Sequence, residues 1–170
     1  MTGRAVAADL SVSLVGDADR AAWDAFLASA PEGDPLQSWA WGDAVALMGE
    51  RPIRLAVRDR TDSIVGIVQV LARPTRFGRQ VLYAPHGPVW RRDGPEAGGV
   101  LACLLAGLRD LGRAERAIVV KMDPRADLPH RRVGSLPGGG GPEAWAASQA
   151  SDDPVGMALL AADLRRARRD

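Results

Sequence analysis

Two short stretches of this chain bring together an aromatic ring, a polar side chain and a glycine where the chain leaves a regular element. One is Leu36-Gln37-Ser38-Trp39-Ala40-Trp41-Gly42; the other is Tyr83-Ala84-Pro85-His86-Gly87-Pro88-Val89. Tryptophan and tyrosine offer a flat apolar face with one polar handle, which suits stacking on a sugar or a nucleobase. Trp39 and Tyr83 fit ligand stacking and plain packing about equally, whereas Trp41 falls on a core stripe. Gly87 permits a close approach of backbone to a ligand. His86 carries the side chain most often used as a general base, although a loop histidine without that role is the commoner case.

Much other chemistry is missing from the residues. His86, His130 and Cys103 are too scattered among the carboxylates to suggest a metal site. No Gly-x-Ser-x-Gly elbow or dinucleotide-binding glycine fingerprint occurs. The run Gly138 to Gly141 lacks the Gly-Lys-Ser/Thr that completes a phosphate loop. Cys103 lies in an apolar helical stretch and reads as core. As the single cysteine, it allows no intrachain disulfide.

The 22 basic and 21 acidic side chains leave a net charge of +1, so bulk charge draws the chain neither to nucleic acid nor to an anionic membrane. With 46% hydrophobic residues it can bury a core. No segment approaches the roughly 20 apolar residues that span a bilayer. The expectation is a cytoplasmic protein without stable membrane insertion, peripheral at most to the inner face of the membrane.

The positioning elements follow from periodicity. Leu10 to Val15 alternates as a strand, and Asp17 is placed to cap a helix through Ala28. Trp23, Phe26, Leu27 and Ala30 share one face of that helix. A second helix begins near Ser38, carries a stripe of Trp41, Val45 and Met48, and ends at Gly49. Ile53 to Arg58 predicts a strand with one wet face. Ile64 to Ala72 is apolar on both faces apart from Gln69 and Gly66 and predicts a central strand, paired with its predecessor as a hairpin. Gln80 to Ala84 predicts a third, and Pro85, Gly87 and Pro88 a rigid loop. Helix three runs from Pro95 to about Leu111 with Gly112 as its cap. Ala117 to Met122 reads as a short buried strand.

The resulting α/β order, β-α-α-β-β-β-α-β, resembles the first part of the GNAT acyltransferase fold, a mixed sheet flanked by helices. In acyl-CoA-dependent members the loop before helix three cradles pyrophosphate on backbone N–H groups. The corresponding Arg91-Arg92-Asp93-Gly94-Pro95-Glu96 keeps Arg91 and Gly94. Pro95 lacks an N–H, and Glu96 adds negative charge where phosphate would sit. Residues 1–127 are expected to form the domain. Residues 128–170 read as a Pro/Gly-rich tail with a short helix near Val155 to Arg169, its terminal arginines favourably placed for the helix dipole.

The ordered set of phrases is also similar to the Fem family of peptidoglycan-bridge aminoacyltransferases. Gln37-Ser38-Trp39-Ala40-Trp41-Gly42 resembles that family's Gln-Ser-x-x-Trp-Gly segment. Ile64-Val65-Gly66 with Gln69, then Tyr83 to Val89, resembles its Tyr-x-Pro-x-Gly-Pro segment. Val120-Lys121-Met122-Asp123-Pro124 resembles its Lys-x-Asp-Pro strand end. The resemblance implies an amino acid moved from aminoacyl-tRNA to a peptide amine of a peptidoglycan precursor, lipid-linked or nucleotide-linked, without a metal or organic cofactor. It implies precursor-binding roles for Gln37, Ser38, Trp39 and Tyr83, and leaves the catalytic group unassigned. The likeness stops near Asp127, so the expectation is a chain incomplete relative to the family, inactive alone and open to self-association. An acyl-CoA-dependent N-acyltransferase and a non-catalytic precursor-binding module are the alternatives.

Overall fold

The apolar run Ile64 to Ala72 forms the middle of a sheet. In the computed structural model, which describes residues 10–94 and 96–125, the strands are β1 (Ser11–Leu14), β2 (Arg51–Arg58), β3 (Ile64–Pro74), β4 (Gln80–Ala84), β5 (Val89–Trp90) and β6 (Ala117–Met122). The helices are α1 (Arg20–Ser29), α2 (Trp39–Leu47) and α3 (Ala97–Ala114). The sheet order is β1-β2-β3-β4-β6, with β5 also paired to β3. Every pairing is antiparallel except β4 with β6. β3 is buried from Ile64 to Ala72, as a strand covered on both faces must be.

α3 covers one face through Val100, Leu101, Leu104, Leu105 and Leu108, all buried. Gly66 lets it sit close: a Cβ there would lie 2.7 Å from Val100 Cγ1. The opposite face takes Trp23, Phe26 and Leu27 of α1 and Trp39 of α2, packed with Ala56, Ile67 and Val89. Burying side chains of this size gains about 1.5–3 kcal/mol each. The rings of Trp23 and Trp39 meet edge to face at 5.8 Å, a favoured aromatic geometry.

The predicted order of elements is present, with one addition and several local corrections. β5 is extra. Its two residues, between Pro88 and Arg91, are too few to show a period, but they pair as Gly66↔Trp90 and Ile67↔Val89. Asp17 does not cap α1. A short 3-10 turn over Asp17–Asp19 precedes the helix, and Asp19 accepts from the Gly16 N–H. The buried face of α2 is Trp39, Gly42 and Val45; Trp41 is half-buried and Met48 is 73% exposed. Nearly every residue of that helix is apolar or small, so periodicity offered no contrast. Arg54, expected on a wet face, has a side chain only 10% exposed. Gly49, at φ 88, does close α2. Gly112 does not end α3, which runs on to Ala114 before Arg116 turns at φ 54. β6 is not buried: Ile118 and Val119 are 57% and 48% exposed, since β4 is its one strand partner among the described residues. The tail of residues 128–170, with its expected helix, its arginines and His130, lies outside the described residues. No described helix is long and apolar enough to cross a membrane.

Candidate functional site at the split of the sheet

One edge of β3 is shared between two short strands. β4 pairs with Leu71 to Pro74, and β5 with Gly66 and Ile67. Gln69 falls between them, where its peptide has no strand partner on that side. The side chain of Gln37 takes the place of one. Its Oε1 accepts from the Gln69 N–H at 2.7 Å, and its Nε2 donates to the Gln69 carbonyl at 3.1 Å and to the Pro85 carbonyl at 2.7 Å. A carboxamide has the donor and acceptor of a peptide, so it satisfies buried backbone groups that would otherwise cost stability.

Gln37 is delivered by a 3-10 turn over Pro35–Gln37, capped by Asp34, whose Oδ1 accepts from the Leu36 N–H at 2.9 Å. Trp23 Nε1 donates to the Gln37 carbonyl at 2.8 Å. Gln69 returns the favour to the same segment, donating from Nε2 to the carbonyls of Ser38 at 3.0 Å and Leu36 at 3.3 Å. Its Oε1 accepts from Arg54 Nε at 2.8 Å. Arg54 Nη2 donates to the Trp39 carbonyl and to Asp43, and the guanidinium lies 3.9 Å over the Trp39 ring.

Two glycines make this packing feasible. A Cβ at Gly42 would fall 2.1 Å from Gln69 Oε1, and one at Gly87 would fall 2.7 Å from Gln37 Cδ and Nε2. The shape common to both phrases, a polar or aromatic residue followed by glycine, thus has a mechanical origin: each glycine clears room for a buried glutamine.

The one parallel pair among the described residues ends at Ala84 and Met122, and the C-terminal ends of parallel strands are where ligands of open α/β sheets bind. Polar groups collect there. Asp123, directly after β6, accepts from Tyr83 Oη at 3.1 Å and from the His86 N–H at 2.8 Å. His86 has φ 50, in the left-handed region. Its Nδ1 lies 3.0 Å from Asp34 Oδ2, within ion-pair distance but without hydrogen-bond alignment. Arg125 Nη1 donates to the same carboxylate oxygen at 3.1 Å. Burial pulls the Asp34 carboxyl upward, but the Leu36 N–H, His86 and Arg125 together outweigh it and hold the carboxyl below its ordinary value. Burial, and then the Asp123 carboxylate, push the Tyr83 phenol up. It therefore remains a neutral donor at physiological pH. The Tyr83 ring is flanked by Arg73 at 5.6 Å and Lys121 at 5.2 Å.

The four residues expected to hold a precursor separate into two pairs. Gln37 and Trp39 are 0% and 1% exposed; in this structure neither presents a surface to a ligand. Gln37 does reach the second phrase, through Pro85 and Gly87, while Trp39 is sealed against Trp23 and Arg54. Ser38 and Tyr83 are partly exposed. The Ser38 hydroxyl donates to the Pro35 carbonyl and accepts from the Trp41 N–H as the cap of α2, leaving Tyr83 the ring open at the rim. Asp34, Arg54 and Arg125 carry no sequence signal that marks them. Gln69 does, as the one polar side chain in the apolar run Ile64 to Ala72, and Asp123 does, as the one acid of the Val120–Pro124 phrase.

The loop before α3 is occupied by its own contacts. Arg91 N–H donates to the Val65 carbonyl at 2.9 Å, extending β5. Arg92 stacks 4.4 Å over Trp90, pairs with Glu32 at 3.2 Å and donates to the Arg125 carbonyl. Among the described residues, no group of three or more His, Cys, Asp or Glu side chains is placed to hold a metal.

Known proteins resemble this chain in sequence and fold. A lipid II:glycine glycyltransferase of Staphylococcus aureus is 32% identical over 106 residues, which make up 62% of this chain and 24% of that protein. The chain thus spans about a quarter of the length of the curated relatives it matches. The crystal structure of FemX matches with a TM-score of 0.59 and 26% identity, over 68% of this chain and 27% of that one. A ribosomal-protein-alanine N-acetyltransferase from Brucella melitensis biovar Abortus 2308 matches with a TM-score of 0.52 and 17% identity, over 71% of this chain and 83% of that one. At that identity the likeness shows the acetyltransferase fold alone. The FemAB family model covers residues 19–136, both phrases at the split of the sheet included, and the chain therefore belongs to the FemAB family.

Proposed function

We propose that this chain is an aminoacyltransferase-type domain of peptidoglycan bridge formation. In this reading an amino acid passes from aminoacyl-tRNA to an amine of a lipid-linked or nucleotide-linked cell-wall precursor. The observation that carries it is the polar rim of Tyr83, His86 and Asp123 at the end of the parallel pair, in a chain whose relatives include a protein named for glycyl transfer to lipid II. Tyr83 and Ser38 are the proposed precursor contacts. Gln37 and Trp39 act from the interior by fixing the backbone on which those contacts stand. Catalysis would be chiefly positioning of amine and ester, with dipoles facing the developing oxyanion, which calls for no metal or organic cofactor. The domain would comprise residues 1–127 and act in the cytoplasm beside the inner face of the membrane.

A second reading is a precursor-binding or self-associating module, favoured by the exposed Ile118 and Val119 on the edge strand β6. One experiment separates the readings. The chain is incubated with labelled aminoacyl-tRNA and lipid-linked precursor, and in parallel with acetyl-CoA. Label in the precursor supports aminoacyl transfer. Acetylation of the precursor supports an acyl-CoA enzyme. Precursor binding without either, together with dimers in sedimentation, supports the module.

A further inference from the structure

We infer that His86 is the group that takes the proton from the attacking amine of the acceptor. This rests on the aminoacyl-transfer reading and gives the unassigned base a place. Asp123 and Asp34, the described acids at the rim, are already engaged. Asp123 accepts from Tyr83 Oη and from the His86 N–H. Asp34 accepts from the Leu36 N–H and Arg125 and abuts His86. Tyr83 Oη donates a hydrogen bond to Asp123. His86 alone among these keeps an open edge. Its Nδ1 is buried against Asp34 while its side chain as a whole is 43% exposed, which leaves Nε2 as the ring nitrogen to meet a substrate.

The imidazole is also held in place from two directions. Asp123 clamps its backbone N–H, keeping a non-glycine residue at φ 50, a conformation that costs about 1 kcal/mol or more for a side chain like this. Asp34, 8% exposed and paired to Arg125, sets a fixed negative charge 3.0 Å behind the ring. A buried carboxylate behind an imidazole stabilises the imidazolium formed when the far nitrogen accepts a proton. The charged groups facing His86 are thus Asp34 from the turn before α2, with Arg125 behind it, and Asp123 from the end of β6.

The step balances without a further reagent. The amine nitrogen bonds to the carbonyl carbon of the aminoacyl ester, and its proton passes to His86 Nε2. The ester C–O bond then breaks, the proton passes from His86 to the departing hydroxyl oxygen, and the imidazole returns to neutrality.

The test compares wild type, His86→Asn and His86→Gly in transfer from aminoacyl-tRNA to lipid-linked precursor. Asparagine and glycine both accept a left-handed backbone, so the loop keeps its course. Both variants are expected to lose roughly 10²- to 10⁴-fold in kcat with the KM for precursor unchanged. Added imidazole is expected to restore rate to His86→Gly and not to His86→Asn. Unchanged kcat in both variants overturns the inference alone, as does a lost rate that imidazole fails to rescue and that comes with a raised KM. No transfer by the wild type overturns the aminoacyl-transfer reading and this inference with it.

Discussion

The carboxamide of Gln37 pairs with the peptide of Gln69 as a neighbouring strand would, accepting at 2.7 Å and donating at 3.1 Å. Its second N–H holds the Pro85 carbonyl at 2.7 Å. Gln37→Ala therefore strands three buried backbone groups, each costing about 1–3 kcal/mol when unpaired. The expected loss is about 3 kcal/mol or more of unfolding free energy in urea. Gln37→Met, similar in volume, should lose a comparable amount. A loss below about 1 kcal/mol in either would mean that water replaces the amide freely.

Gly87 lies against that same amide. Alanine there would set a Cβ 2.7 Å from Gln37 Cδ, and overpacking of this kind costs about 1–3 kcal/mol. Because the two residues share one contact, their effects should not add. In a double-mutant cycle, Gly87→Ala is expected to cost at least about 1 kcal/mol less in the Gln37→Ala background. Strict additivity would show that the glycine serves some other neighbour.

Arg54 is the largely covered cation that closes the network, with donors to Gln69 Oε1, the Trp39 carbonyl and Asp43, and its plane on the Trp39 ring. Lysine can supply one point charge but neither the fork nor the flat face. Arg54→Lys is expected to lower unfolding free energy by about 2 kcal/mol and to red-shift tryptophan emission as Trp39 gains water. An unchanged emission maximum and midpoint would contradict this role.

Asp34 predicts an acid limb. Its carboxyl is held below the ordinary value of 3.8. A carboxyl depressed in the folded state stabilises fully above its unfolded-state value, and that contribution is lost as pH falls through the folded-state value. Stability of the wild type should thus drop below about pH 4. Asp34→Asn should be less stable at pH 7 and lose less on acidification, as read from urea midpoints at pH 7 and pH 3. An equal acid loss in both would remove Asp34 from the linkage.

The sequence carried most of the frame and less of the site, for reasons visible in particular residues. Trp23, Phe26 and Leu27 form a helix face of clear contrast, and Ile64 to Ala72 is too apolar to be anything but central. The same logic misread Ala117 to Met122, because an apolar strand at a sheet edge has the composition of a buried one. Asp43 is the single charged residue of α2 and gives too little contrast to mark its outer face, so Trp41, expected in the core stripe, is half-buried, while Trp39, balanced between stacking and packing, is the buried ring. The two glutamines lay in plain view, Gln69 as the lone polar residue of the run Ile64 to Ala72. Their pairing depends on a split between β4 and β5 that local sequence does not encode. Asp34 and Asp123 meet His86 only through tertiary contact, from segments that lie far apart in the chain.

The claim beneath this account is that a cell-wall precursor rests at the rim formed by Tyr83, His86 and Asp123. Backbone amide NMR of the full chain, titrated with soluble nucleotide-linked muropeptide, tests it most directly. The account predicts saturable shifts at Tyr83, His86, Gly87 and Asp123, with Gly49 at the far end of α2 unmoved. Shifts confined to other parts of the sheet, or none at all, would contradict it.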